Sequence, residues 1–167
     1  VAKWYGPGRR PHYGEILAAG RNGAPGARQD LLRLAGDPLY PVIVRATALS
    51  LLTAYPGADT FQAFELAVQD EEPLIRRTAI ANLPPASAEV TARLIGPYLY
   101  DPVKGVRIEA ATKLAGAPSE HLDKDGKALF KIVLQEFEGA MHYSADFSFA
   151  RFNLGNLYNT LGRQEDA

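Results

Sequence analysis

The sequence predicts an all-α fold, a right-handed α–α superhelix (solenoid) of short helix pairs. Three observations lead there. Val44-Arg45, Ile75-Arg76 and Val106-Arg107 each open a segment with Ala three residues after the Arg (Ala48, Ala79, Ala110) and Leu seven after it (Leu52, Leu83, Leu114). The arginines recur at a constant interval of 31 positions, and a period between about 20 and 50 residues marks stacked units that cannot bury their apolar faces alone. Each unit also carries Asp and Pro in the turn between its helices: Asp37-Pro38, Asp70-Glu71-Glu72-Pro73 and Asp101-Pro102.

The elements follow in order. Residues 1–26 are a lead-in rich in Gly, Pro and Arg, expected to be the tail of a preceding domain. Lys3-Trp4-Tyr5 reads as a helix end closed by Gly6-Pro7-Gly8, and Pro11 to Ala19 as one short helix through Tyr13, Ile16 and Leu17. From residue 27 the pattern is regular to residue 118. Leu31, Leu32, Leu34 and Ala35 make a short amphipathic helix stopped by Gly36-Asp37-Pro38. Pro41 sits at the first turn of the next helix, where its missing N–H removes no bond, and that helix is expected to run to about Tyr55. The following pairs are predicted at Asp59–Val68 with Pro73–Leu83, and at Ala88–Leu99 with Pro102–Leu114.

Within each second helix the Val/Ile, Ala and Leu at offsets −1, +3 and +7 from the Arg share one face. The Ala lets neighbouring helices approach closely. The Asp precedes the Arg by six residues in the second and third copies and by eight in the first. Pairing between a turn Asp and an Arg of an adjacent unit would link Arg45, Asp70, Arg76, Asp101 and Arg107 in one ladder. Such partly buried pairs specify geometry more than they add stability.

Residues 119–167 change character. Lys127 to His142 is a long amphipathic helix with Leu129, Phe130, Val133, Leu134, Phe137 and Ala140 on its apolar side. A second helix runs from Phe149 to Tyr158 after a break at Tyr143-Ser144-Ala145-Asp146.

Composition narrows the function classes. The chain has 167 residues, 47% apolar, enough to bury a core. It has no cysteine, which rules out disulfides, thiolate zinc sites and covalent haem attachment within it. No 18-residue apolar run is long enough to span a membrane. The net charge of −1 hides an asymmetry: residues 1–36 hold six cations against two acids, so the remainder is acidic on balance. A duplex-binding groove needs a basic stripe along the repeats, and a nucleic-acid partner is disfavoured. The chain opens on Val and stops at Glu165-Asp166-Ala167, and is expected to be a fragment of a longer protein.

The Asp-Pro turn and the Val/Ile-Arg-x-x-Ala-x-x-x-Leu segment, three times over residues 27–118, resemble short HEAT-type repeats. Leu154-Gly155-x-x-Tyr158, followed by Gly162-Arg163-x-Glu165-Asp166-Ala167, resembles a tetratricopeptide (TPR) unit whose second helix is cut off; Ala145 stands where that family has Pro. The order of an aromatic-basic lead-in (Ala2-Lys3-Trp4-Tyr5-Gly6), HEAT-like repeats and TPR-like helices resembles the C-terminal region of bacterial multihaem c-type cytochromes. That resemblance implies a periplasmic location and haem in the part of a full protein ahead of this chain. No haem ligand carries over, and no cofactor is expected in the chain itself.

Candidate residues follow from these readings. The TPR resemblance implies a peptide groove on the first helix of the unit. Phe149, Phe152, Asn156 and Asn159, at steps of 3, 4 and 3, fall on one side of it. Aromatics with amides suit a peptide backbone, since an amide both donates and accepts. In HEAT-like stacks the second helices line the concave side, which would present Arg77, Glu109 and Lys113. An exposed apolar face on the final unit would drive homodimerisation.

Catalytic signals are thin: there is no Gly-rich phosphate loop, H-E-x-x-H or Gly-x-Ser-x-Gly. His121-Leu122-Asp123-Lys124-Asp125 matches no metal-ligand frame, and His12 beside Arg9, Arg10 and Tyr13 reads as a surface histidine. The expected function is a non-enzymatic scaffold that binds a protein or peptide. One alternative is a tetrapyrrole lyase-like factor, which certain short HEAT repeats resemble and which would need a pocket joining His12, Tyr13 and Glu15. The other is a HEAT-like nucleic-acid binder.

Overall fold

A computed structural model describes residues 12–116, 119–163 and 165. The expectations for Ala2 to Gly6, Arg9 and Arg10, and for part of the sequence after Gly162, fall outside the described residues. Within the described residues the chain is all-α. Helix α1 spans Tyr13–Arg21, and α2 (Ala27–Gly36) pairs with α3 (Val42–Leu51). Next come α4 (Ala58–Ala67) with α5 (Pro73–Asn82), and α6 (Ala88–Ile95) with α7 (Lys104–Ala115). Two longer helices close the order, α8 (Lys124–Tyr143) and α9 (Ser148–Thr160).

The helix starts have local causes. Asp123 accepts from the Gly126 N–H at 2.6 Å and Ser87 from Val90 at 3.3 Å, each satisfying a donor that the first turn leaves open. Pro73 occupies the first position of α5. The His12 Nδ1 accepts from the Gly14 N–H at 3.1 Å and so caps α1. Two predicted boundaries move. The helix expected over 88–99 ends at Ile95 and continues as a 3-10 turn through Gly96–Tyr100. Pro97 has no N–H to donate and its ring crowds the preceding turn. The helix expected to reach Tyr55 likewise ends at Leu51, followed by a 3-10 turn over Leu52–Ala54.

Packing follows the repeat. Helix α3 lies against α5, and α5 against α7, while α2 touches α4 beside them. The residues at the three repeated offsets are all buried: Val44, Ile75 and Val106; Ala48, Ala79 and Ala110; Leu52, Leu83 and Leu114. The three alanines are each at 0% exposure, so the second helices meet with no room for a larger side chain at that point. Helix α1 packs on α2 and α3. Its approach requires Gly20, where a Cβ would lie 2.9 Å from a Leu31 methyl, and the Tyr55 hydroxyl donates to the Gly20 carbonyl at 2.6 Å.

At the other end α8 packs on α7, and α9 touches both. Phe130, Val133 and Phe137 of α8 are buried, as are Ala150, Leu157 and Tyr158 of α9. No helix among the described residues is long and apolar enough to cross a membrane.

Candidate partner-binding groove

The charged residues singled out in the repeats meet in a regular way. Each turn Asp first closes its own turn: Asp37, Asp70 and Asp101 accept through Oδ1 from the N–H two residues on, at 2.9, 2.9 and 2.8 Å. The remaining acceptor capacity of Asp70 and Asp101 receives an arginine from the preceding unit. Arg45 donates to Asp70, and Arg76 donates to both oxygens of Asp101, at 2.8 and 3.0 Å. Both pairs join residues 25 positions apart. Arg76 also donates to the Asp70 and Glu71 carbonyls at 3.0 and 2.8 Å, and Arg107 to the Asp101 and Pro102 carbonyls at 2.9 and 3.2 Å. The first copy, with two extra residues between Asp and Arg, differs: Arg45 Nε reaches the Ala35 carbonyl instead, at 3.1 Å.

The last rung changes partner. The carboxylate that Arg107 meets is that of Glu136 on α8, both of whose oxygens accept from it at 3.2 and 3.0 Å. Electrostatics follow the geometry. The hydrogen bond to Asp101 raises the Arg76 pKa further, against the opposing cost of burial. Burial raises that of the neighbouring Tyr98, and Arg76 offsets part of the rise. Each held by a carboxylate and by backbone carbonyls, these arginines are rungs of a ladder between units.

Arg77 lies beside the ladder on the other side of α5. Its Nε donates to Glu109 on α7 at 3.1 Å. Lys113, expected on the exposed concave side, is instead half-buried, and its Nζ donates to the Leu83 carbonyl at 2.9 Å, just past the end of α5. Desolvation lowers its pKa, with Glu109 opposing the shift. The reason is reach: a lysine stem can lie along apolar surface and place its ammonium on a helix end rich in unpaired carbonyls.

Arg77 and Glu109 form one side of an open groove of about 510 Å³. Ile108 and Thr112 of α7 continue that side; Phe137 and Met141 of α8 make the floor. Helix α9 supplies Phe149, Asn153, Asn156, Leu157 and Thr160. Of the four groove residues expected from sequence, Phe149 and Asn156 line it; Phe152 and Asn159 are exposed outside it. At 3.6 residues per turn, Phe152 and Asn159 lie about 60–80° round the helix from Phe149, whereas Asn153, Asn156 and Thr160 lie within about 40°. The signal was present as i+4, i+7 and i+11 from Phe149.

The groove sets polar groups beside apolar ones. The Asn153 and Asn156 amides make no hydrogen bond among the described residues. Phe149 is 53% exposed, and its ring stacks on Phe147 at 5.8 Å between centroids.

The other histidine candidates are engaged locally. The His12 ring lies 3.9 Å from that of Tyr13, which in turn meets Tyr40 edge-on at 6.5 Å. His121 lines a separate cavity of about 470 Å³ with Tyr100 and Asp123, and Asp123 is the α8 cap. Among the described residues no group of three or more His, Asp or Glu side chains is placed to hold a metal. No family model, curated protein or solved structure matches the chain.

Proposed function

We propose that the chain is a non-enzymatic protein–protein interaction scaffold. In this reading it is a right-handed superhelix of HEAT-like pairs running into a TPR-like unit, and its partner is an extended peptide segment. One observation carries the proposal: an apolar floor and two unpaired amides converge in a single open groove built by α5, α7, α8 and α9. An extended peptide has side chains to bury and backbone groups that need partners once desolvated. Phe137, Met141 and Leu157 supply the first; an Asn amide offers both donor and acceptor for the second. The groove volume falls within the range of about 300–1,000 Å³ in which ligand sites lie. The stacking of α3, α5 and α7 supports the superhelix, since one arginine rung repeats between successive units.

A periplasmic setting within a larger cytochrome-type protein belongs to the same proposal and rests on the resemblance alone. A Cys-x-x-Cys-His stretch encoded shortly before Val1 would support it, and its absence over about fifty residues would remove it. The groove itself is tested by selecting a displayed random-peptide library on the purified chain. Enriched peptides should bind in the micromolar range, lose binding with Phe149→Glu, and keep it with Leu66→Glu, a change on the distant exposed face of α4. Peptides indifferent to Phe149→Glu would refute the assignment.

A further inference from the structure

The groove has a charged rim as well as an apolar floor. Arg77 is 58% exposed and uses only its Nε on Glu109. Its two terminal nitrogens make no hydrogen bond among the described residues. Glu109 is 22% exposed. Lys113 follows it by four residues on α7, one helical turn away, where side chains are neighbours. Of these two cations only Arg77 lines the groove, since the Lys113 ammonium is held by the Leu83 carbonyl; the terminal nitrogens of Arg77 are the open donors of this rim. The α9 side is neutral at Asn153 and Asn156, and on α8 Glu136 is held by Arg107 at 3.0 Å and Glu138 by Arg163 at 2.7 Å.

Resting on the groove reading above, we propose that the partner is an acidic extended peptide. Its apolar side chain seats on Ile108 and Met141, its backbone meets the Asn153 and Asn156 amides, and its carboxylate takes the free nitrogens of Arg77. A guanidinium binds a carboxylate through two parallel N–H···O bonds, so the unused edge of Arg77 fits an incoming acid. Glu109 holds the opposite edge and fixes the orientation, but it also repels the ligand. A basic peptide would set its cation against Arg77, and a purely polar one would leave the floor uncovered.

Three fluorescein-labelled nonapeptides test this by anisotropy: alternating Leu and Glu, alternating Leu and Gln, and alternating Ser and Glu. The Leu/Glu peptide should bind about threefold more tightly than Leu/Gln, as an exposed charged pair allows, and Ser/Glu should not bind measurably. Arg77→Gln should erase the preference for Leu/Glu, and Glu109→Gln should widen it. The second variant removes no cation and keeps the test alive if the first perturbs folding, which circular dichroism would reveal. Equal binding of Leu/Glu and Leu/Gln, or a preference that survives Arg77→Gln, overturns the acidic partner; the groove reading stands if Phe149→Glu still abolishes binding. If neither Leu peptide binds, the groove reading fails and this proposal with it. A doubled sedimentation mass that Phe149→Glu reduces to one chain would make a second copy the occupant and overturn the peptide.

Discussion

Arg76 and Arg163 are both arginines held by a carboxylate, one inside the stack and one in the C-terminal helix pair. Arg76 and its partner Asp101 have side chains 12% and 4% exposed, and each makes further bonds to turn backbone. Arg163 and Glu138 are 45% and 23% exposed, and Arg163 also lies over the Tyr158 ring at 4.5 Å. The first pair fixes how one unit sits on the next. The second decorates a pair of helices in which α8 sends Phe130 and Val133 into the core of the stack, while α9 buries Ala150, Leu157 and Tyr158. The stack leaves Leu39, Ile43, Leu66 and Tyr100 exposed on separate helices and turns, whereas the C-terminal pair gathers its exposed aromatics, Tyr143, Phe147, Phe149 and Phe152, within ten residues. Under the proposed function, the stack supplies rigidity and the C-terminal pair recognition.

The sharpest way to break this contrast is to delete one acid from each region. Asp101→Ala leaves a buried guanidinium unpaired and opens the turn at Val103, which should cost about 3–5 kcal/mol. Glu138→Ala removes a surface partner and should cost at most about 1 kcal/mol. Urea unfolding of the two variants checks the ratio. Equal losses would mean that the ladder is not what holds the units in register.

Between these extremes lies Glu136, the rung joining the stack to α8. Its side chain is 32% exposed and that of Arg107 is 21% exposed, so solvent screens the pair more than Arg76–Asp101. Glu136→Gln should cost about 1 kcal/mol. A double-mutant cycle with Arg107→Gln should return most of that as coupling. A coupling near zero would separate the two regions energetically and leave only apolar contact between α7 and α8.

A smaller effect depends on pH. Lys113 is depressed below its ordinary 10.5 by desolvation. Between the lowered folded value and 10.5 the unfolded chain binds more protons than the folded one. Stability contributed by this group therefore rises with pH through that window. Tyr98, raised above 10.0 by burial, acts oppositely, because above 10.0 the unfolded phenol ionises first and stability falls. Urea midpoints measured from neutral pH to about 10 should rise for the parent chain and flatten in Lys113→Met. A rise that persists in the variant would assign it to another group.

These contrasts also explain what could be read before folding. The stack was legible because Val/Ile, Ala and Leu recur with a fixed helical phase around each Arg, and burial obeys that phase in all three copies. Chain order alone placed the acid of each rung near its arginine but not the direction of pairing, which needs the next unit. Pro97 is the local signal for the break after Ile95, since it lacks the N–H that a continuing α-helix needs. Lys113 was misplaced because sequence gives the position of a Cα, not the length of stem that folds back to Leu83. The groove was half legible: the helical face of α9 could be drawn, but its phase against α7 and α8 arises only from packing.

That phase gives the smallest predicted change in stability and the most direct test of where recognition lies. Phe149 and Phe152 are 53% and 69% exposed, so truncating either to Ala should alter stability by no more than about 0.5 kcal/mol. Their effects on peptide capture should nonetheless diverge. Phe149 shares the groove with Phe137, Asn153 and Asn156, and its loss removes the aromatic wall against which a bound side chain would desolvate. Phe152 lies a sixth of a turn or more round the helix, and its loss should leave affinity within about twofold of the parent, as expected for a residue outside the contact. Peptide titrations of the two alanine variants, run beside their urea curves, read both quantities on the same samples. If Phe152→Ala loses binding and Phe149→Ala does not, the recognition face is the outer side of α9 and the cleft against α7 and α8 is only a furrow between helices.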